Sequence, residues 1–393
     1  MSKINIRIAF RIFSVIIVFS QSGCIKETYN MNMLSKRNQL SPTIGISAIN
    51  GKVLFSDVVK SNDTVVFDQN KFVTLVFRKD QVINLNLSDF SKGTIKKTAT
   101  IEPVNFDLNI HDFLSHIGGN FLFSNPSVKF NYTNSFSDSI QINLNARGLG
   151  KDKSADLNLA PFYLSRPNPA QQEITSTYVA DKTNSNLSQL ISLPPETINF
   201  SGSAILNFSG KSGLPDNNIL GIDHLIGSLE IDLPLQLTMD NLQISDTTEN
   251  FLKDWGPIGS GLFQFTVKPE DFELFQVEFT AQNGFPLDLT LQMILYDGST
   301  RTTISTIDAT GILKAAPADS NGKATGETES TLKIDFTKQF LTKTGSADKI
   351  IFLFTLNTPG TNDIRIYSDY SIDYFAKLVV KPVMKPSGSF KFF

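Results

Sequence analysis

Apolar and polar residues alternate along most of the chain beyond residue 43, with the two-residue period of β-strands that bury one face. The clearest alternating segments are 72–77, 128–132, 140–144, 287–295 and 372–380. Asn, Asp, Gly and Ser, which favour turns, separate these segments. No segment of ten or more residues keeps the 3.6-residue period of a helix. The pattern therefore predicts an all-β protein with a few short helices.

The alternating pattern is present in two copies. The segment VKFNYTNSFSDSIQINL, which begins at Val128, aligns without a gap to VEFTAQNGFPLDLTLQM, which begins at Val277. Both copies contain Val-x-Phe, then an Asn, then three alternating aliphatic residues. Asn134 and Asn283 begin Asn-Ser and Asn-Gly pairs, and such pairs between alternating strands predict a hairpin turn.

Three further pairs of similar segments occur in the same order in the two copies. A short helix is predicted at 112–118 and again at 250–256, where Asp246 and Glu249 have the spacing of a helix-capping box. The remaining matches are 198–200 with 350–352, each after a short helical stretch, and 231–237 with 372–378. The four offsets are similar, which indicates that the chain contains a duplication.

The first residues have the composition of a secretory leader. Three basic residues and no acid precede the end of an apolar run at 12–19, which is too short to span a bilayer. The only cysteine of the chain, Cys24, directly follows Ser22-Gly23. This arrangement resembles the lipobox signal of bacterial lipoproteins, although Gln21 stands where that family prefers an aliphatic residue. The resemblance implies lipidation of Cys24, and an ordinary signal peptide cut near Ser22 is the alternative.

These patterns together predict two duplicated β-sandwich-like units after a lipidated tether. The segment 43–104 has no second copy, so it forms either a small extra sheet or strands that complete the first unit. The predicted parts are a signal peptide at 1–23, the lipidated cysteine and a flexible tether at 24–42, an N-terminal β segment at 43–104, a first unit at 105–245, a second unit at 246–385 and a C-terminal tail at 386–393.

Two looser resemblances add expectations. The Val-x-Phe blocks resemble late-embryogenesis-abundant β-sandwich modules of the WHy type, which implies the fold alone. The loose lipobox and the Asn- and Phe-rich strands resemble uncharacterised lipoproteins of Bacteroidota. That resemblance implies O-glycosylation at Asp-Ser/Thr sites, for which the candidates are Thr64, Ser139 and Thr247.

Composition and motifs point away from several classes of function. The chain carries a net charge of −3 and has no basic patch, which disfavours nucleic acid as a partner. His111 and His116 do not share a helical face, so no metal site is predicted. The chain has no Gly-x-Ser-x-Gly elbow, phosphate loop or dinucleotide fingerprint, so no catalytic residue and no cofactor are predicted.

The sequence thus predicts a non-catalytic, lipid-anchored protein of the cell envelope, acting as a binding or structural module at the outer membrane or cell surface. One alternative is a carrier that encloses a lipid or another apolar ligand in an internal cavity. Another is a surface lipoprotein that binds glycans on exposed aromatic rings, for which Tyr367, Tyr370 and Tyr374 are candidates. The expected partners are the membrane, through the lipid, and an envelope protein, glycan or lipid.

Overall fold

The computed structural model describes residues 43–90, 96–108, 117–149, 154–168, 172–192, 197–207, 223–250, 272–360 and 362–383. The signal peptide, Cys24, the tether and the tail at 386–393 lie outside the described residues, as do most of the predicted helical segments at 112–118 and 250–256. Within the described ranges, no helix is both long and apolar enough to cross a membrane.

The described chain consists mainly of antiparallel strands, which confirms the all-β prediction. In chain order the strands are β1 (Ile44–Leu54), β2 (Val65–Phe67), β3 (Val73–Asn86), β4 (Lys96–Asp107), β5 (Ile117–Phe123), β6 (Ser127–Asn134), β7 (Ser139–Leu149), β8 (Ser154–Leu157), β9 (Phe162–Tyr163), β10 (Ile174–Ala180), β11 (Thr197–Asn207), β12 (His224–Pro234), β13 (Gln236–Glu249), β14 (Phe272–Asn283), β15 (Asp288–Asp297), β16 (Thr302–Asp308), β17 (Thr328–Asp335), β18 (Lys349–Asn357), β19 (Ile364–Arg365) and β20 (Ser371–Pro382). The short helices among them are α1 (Phe55–Val58), α2 (Leu187–Ser192) and α3 (Lys338–Lys343).

The described strands form four sheets, which pack as two sandwiches. The first sandwich has a back sheet in the order β10-β6-β12-β3-β2 and a front sheet in the order β4-β11-β7-β8, with β9 beside β7. The second sandwich has a back sheet in the order β1-β20-β14-β17 and a front sheet in the order β16-β15-β18-β13-β19, with β5 beside β13. Buried side chains from the back and front sheets form the core of each sandwich.

Both sandwiches follow the same strand order. The main strands of the first sandwich are, in chain order, β3, β4, β6, β7, β8, β10, β11 and β12, and those of the second are β1, β13, β14, β15, β16, β17, β18 and β20. In each set, strands one, eight, three and six form the back sheet, and strands two, seven, four and five form the front sheet. This order is that of a jelly roll. The duplication therefore appears as two jelly rolls.

The first strand of the second sandwich comes from the N-terminal side of the first sandwich. Strand β1 pairs with β20 along ten residues, from Ile44 opposite Val380 to Leu54 opposite Ser371. The whole first sandwich is therefore inserted between strands one and two of the second. The segment 43–104, predicted to stand apart or to complete the first unit, is divided between the two sandwiches. Alternation identified its strands, but it indicates which face is buried and not which strand is the partner.

The gapless alignment of 128–144 with 277–293 corresponds to equivalent strands, but the predicted hairpins are absent. Strand β6 lies in a back sheet and β7 in a front sheet, and β14 and β15 are divided in the same way. The connection is an arch held by a buried asparagine. Asn134 accepts the amide hydrogen of Phe136, at 3.0 Å, and Asn283 accepts that of Phe285, at 2.9 Å. The Asn side chain thus satisfies backbone groups where the chain changes sheet.

Two other predicted matches need correction. Asp246 and Glu249, predicted to begin a helix, lie in β13, where pairing with β18 supplies the backbone hydrogen bonds. The match of 231–237 with 372–378 is out of register, because Leu225 and Ile372 are the residues that pair with Asn134 and Asn283. The two short helices that precede β11 and β18 are present as α2 and α3.

The two sandwiches share a tight junction. A single residue, Leu235, separates β12 of the first from β13 of the second. It is buried; its amide donates to the carbonyl oxygen of Val73 at 2.8 Å, and its carbonyl accepts from the amide of Ile366 at 2.9 Å. Strand β5 lies in the connection between β4 and β6 of the first sandwich, and it pairs with β13 in the front sheet of the second. Both contacts fix the sandwiches against each other.

Close packing of β1 on β20 yields a test of the inserted topology. Gly51 lies opposite Tyr374, and a Cβ added there would overlap the buried tyrosine hydroxyl. We expect Gly51→Ala to lower the free energy of unfolding by about 1–3 kcal/mol, the usual cost of overpacking. Denaturant titration gives the magnitude. Hydrogen exchange should show the lost protection in β14 and β20 of the second sandwich.

Gly45 supplies the matched control, because a Cβ at this position of the same strand would meet no atom within 4 Å. Gly45→Ala should leave protection unchanged. If Gly51→Ala instead loosened β6 and β12 of the first sandwich, the assignment of β1 to the second sandwich would be wrong.

Candidate binding faces

The cavity found between the two sheets of the first sandwich is too small for an organic ligand. A cavity of about 10 Å³ lies between the two sheets, lined by apolar side chains that include Phe130, Phe200 and Leu229. That volume is about the minimum needed for one water molecule. The carrier alternative requires an internal cavity, and the described core of this sandwich is close-packed. The outer surfaces of the sheets are therefore the candidate binding surfaces.

The outer face of the first back sheet carries paired charges. The Nζ atom of Lys129 lies 2.9 Å from Glu230 and also contacts Asp232, and Arg78 donates from Nε to Glu230 at 2.6 Å. Burial raises the pKa of Asp232 above its ordinary value, although the contact with Lys129 lowers it. The cluster joins three neighbouring strands by cross-strand pairs.

The second back sheet carries the same arrangement with the charges reversed. Glu278, which the gapless alignment places opposite Lys129, contacts Lys377 and lies 2.9 Å from Lys333. Hydrogen bonds from Lys377 and Lys333 lower the pKa of Glu278. Because each charge has its partner on an adjacent strand, these groups are matched within the sheets rather than forming an open site for a charged ligand.

The first front sheet presents a different surface. Two rows of side chains cross its outer face without a charged group. One row holds Thr98, Ile205, Gln141 and Tyr163, and the next holds Thr100, Ser203 and Asn143. We call the surface of these seven residues the neutral face. The Nε2 atom of Gln141 donates to Asn143 at 3.3 Å, and the Nδ2 atom of Asn143 donates to the hydroxyl of Ser203 at 3.2 Å.

Tyr163 is the most exposed of the large hydrophobic side chains on the described surface, at 63 %. Its strand neighbour Phe162 points inward, is buried, and stacks on Tyr178 with ring centroids 3.7 Å apart. Pairing of β9 with β7 places Tyr163 beside Gln141 on the outer face. The buried stack therefore holds a two-residue strand in place and leaves one aromatic ring at the edge of the neutral face.

The second front sheet has a polar groove at the equivalent position. Its volume is about 280 Å³, and the residues lining it include Gln243, Thr290, Gln292, Asp308, Leu353 and Thr355. The gapless alignment places Thr290 opposite Gln141 and Gln292 opposite Asn143. We call this the front groove. One charged group is present, and Gln292 donates from Nε2 to Asp308 at 2.6 Å.

The residues singled out from the sequence do not form a common site. Thr64 is half-buried in the turn before β2, Ser139 is half-buried at the start of β7, and Thr247 is exposed on β13. Whether any of them is glycosylated stays a prediction. Ser139 is the nearest to a candidate face, because it lies two residues before Gln141 on the same side of β7.

The three tyrosines that lie close together near the C-terminus are buried, so they do not supply a sugar-binding surface. Tyr367, Tyr370 and Tyr374 are each less than a tenth exposed. Tyr370 accepts a hydrogen bond from the amide of Ala324 at 2.7 Å, and burial raises the pKa of Tyr370 to about 12. These rings pack at the junction and in the second core. Alternation could not identify Tyr163, because its two-residue strand is too short to show a period.

One arrangement superficially resembles a catalytic triad. The Oγ atom of Ser135 lies 3.4 Å from Nδ1 of His224, whose Nε2 lies 3.7 Å from Glu173. However, this Oγ accepts the amide hydrogen of His224 at 2.7 Å and donates its own hydrogen to the carbonyl oxygen of His224 at 3.2 Å. The geometry therefore favours a clamp between strand ends over an activated nucleophile. In the described part of the chain, no cluster of His, Cys, Asp and Glu could hold a metal ion.

Comparisons with known proteins add little. No protein-family model and no curated protein matches the chain. A crystal structure of a protein from Parabacteroides distasonis, described as secreted, is 14 % identical over 86 % of this chain and 99 % of that chain, with a TM-score of 0.49. The empty particle of cowpea mosaic virus is 10 % identical over 83 % of this chain and 94 % of that one, with a TM-score of 0.15. Both scores lie below 0.5, so the jelly-roll assignment rests on the strand order.

The two charge clusters predict opposite responses to pH. Because the pKa of Asp232 is raised in the folded chain, its ionised form opposes folding. We expect Asp232→Asn to raise the free energy of unfolding at pH 7, and the gain should shrink as pH falls through the raised pKa and vanish below the ordinary value of 3.8. The pKa of Glu278 is lowered from its ordinary value of 4.5. Glu278→Gln should therefore lower stability at pH 7, and that loss should vanish as pH falls through the lowered pKa.

Urea denaturation of both variants and the parent chain, at pH 7 and in acid, checks the two signs. The variants control for each other because each removes one carboxylate from a back sheet. A shift in the same direction at pH 7 for both would contradict the analysis of the clusters.

Proposed function

We propose that the protein is an exported, lipid-anchored and non-catalytic protein of the bacterial cell envelope, and that it binds its ligand on the front faces of its two jelly rolls. The observation that carries the binding role is the equivalence of the neutral face and the front groove. Each lies on the front sheet of its own sandwich, at equivalent positions of β7 and β15, and both present carboxamide and hydroxyl groups. The back sheets, by contrast, pair their charges internally.

Anchoring rests on the leader and on Cys24. Acyl chains contribute about 0.8 kcal/mol for each buried CH₂ group, so two or more chains would hold the protein at a membrane. The tether at 24–42 would join that anchor to β1, and therefore to the back sheet of the second sandwich. The front faces would then be free to meet a ligand in solution or on a neighbouring surface.

The anchor is tested by Cys24→Ser in the producing cell. We expect the wild-type chain in the membrane fraction, labelled by an alkyne fatty acid, and the variant in the soluble fraction without label. Ser22→Ala serves as the control, since it leaves the cysteine intact and should stay labelled. A Cys24→Ser chain that remained in the membrane fraction would refute lipid anchoring.

Surface binding, rather than internal carriage, is tested on the soluble Cys24→Ser chain. We expect native mass spectrometry after gentle purification to give the mass of the chain alone, and solvent extraction to release no stoichiometric lipid. This expectation follows from the packed core of the first sandwich. A lipid bound at one equivalent per chain would instead support the carrier alternative and remove the argument for the front faces.

A further inference from the structure

We propose that the neutral face binds an uncharged carbohydrate chain, with the ring of Tyr163 stacked on a sugar. This inference rests on the proposed function, because that proposal locates the ligand on the front faces. It adds the chemical class of the ligand and the residue that anchors it.

The hydrogen-bonding groups suit a polyhydroxylated ligand. Each sugar hydroxyl both donates and accepts, so a complementary surface needs both functions close together. Gln141 and Asn143 supply them, because a carboxamide carries an acceptor oxygen and a donor NH₂ group. Ser203, Thr98 and Thr100 add hydroxyls, which can do either. The mutual hydrogen bonds of Gln141, Asn143 and Ser203 hold these groups in defined directions before a ligand arrives.

The charge of the face selects a neutral ligand. Neither row contains Lys, Arg, Asp or Glu, whereas recognition of phosphates or of acidic chains depends on cationic side chains. On β7 the nearest charged residue is Arg147, which lies farther along the strand and 3.8 Å from Asp156. On β4, Lys96 lies opposite Asn207, in the row next to that of Thr98. An acidic polysaccharide or a nucleic acid would therefore find no counter-charge on these rows.

Tyr163 supplies the apolar component. An aromatic ring offers a flat apolar surface at a small cost in side-chain entropy, and Tyr is enriched among residues that dominate binding energy. The ring is exposed although its neighbour Phe162 is buried in a stack with Tyr178. An exposed ring on a rigidly held strand, beside two carboxamides, fits the apolar face of a sugar ring.

Affinity electrophoresis and titration calorimetry on the soluble Cys24→Ser chain test the inference. The probes are the neutral polysaccharides dextran, mannan, xylan and laminarin, with alginate and polygalacturonate as acidic counterparts. We expect binding to at least one neutral probe and none to the acidic ones. The Kd should change less than about twofold between low and high salt, because no ion pair forms.

Variants assign the site. Tyr163→Ala should weaken binding about tenfold or more, the size of loss expected when an aromatic anchor is truncated, while Tyr163→Phe should bind like the parent because the ring is retained. Gln141→Ala should also weaken binding. Phe375→Ala is the matched control, since Phe375 is an exposed ring on the back sheet of the second sandwich. Unchanged melting temperatures show that the variants remain folded.

The outcomes separate this inference from the function on which it rests. Binding to neutral probes that survives Tyr163→Ala, or binding to acidic probes alone, would overturn the inference. Binding of peptides or vesicles that Thr290→Trp abolishes by filling the front groove would overturn it while leaving the proposed function intact. If no probe of any class bound the folded chain, both proposals would fail.

Discussion

The pairing of β1 with β20 is the constraint on which the rest of the structure depends. It joins residues from the two ends of the described chain, Ile44 and Val380, and it completes the back sheet of the second sandwich. Closing so large a loop is entropically costly and slow, so this sheet can form only after the rest of the chain is available. Because the first sandwich is inserted within that loop, its own strands come from one continuous stretch of the chain, whereas the second sandwich needs both of its halves.

The insertion also explains the tight junction. An inserted domain needs two connections close together at one end, and here they are the segment from α1 to β2 and the single residue Leu235. The backbone of Leu235 is hydrogen-bonded to Val73 and Ile366. Together with the pairing of β5 with β13, these bonds hold the point where the chain passes from one sandwich to the other. The two front sheets therefore keep a fixed relation, which would let one extended ligand meet both.

The sequence predicted the elements better than their partners. Alternation located strands such as β6, β7, β15 and β20, and the gapless alignment identified equivalent strands correctly. Alternation could not reveal that β1 crosses to the second sandwich, since periodicity reports burial and not pairing. Asn283 was assigned to a hairpin because Asn-Gly usually makes one, whereas burial of its side chain makes an arch. The neutral face could not be predicted from the sequence, because its rows combine residues from four strands, β4, β7, β9 and β11.

The outer faces of the back sheets and of the front sheets differ in the same way in both copies. Lys129 and Glu278 occupy equivalent places with opposite charge, and each keeps an oppositely charged partner, Glu230 or Lys377, on the next strand. A sheet needs only that the pair be matched, so its sign is free to invert. On the front sheets the equivalent positions carry Gln or Thr and Asn or Gln, which stay uncharged in both copies. Under the proposed function, these uncharged positions, and not the matched charge pairs of the back sheets, would meet the ligand.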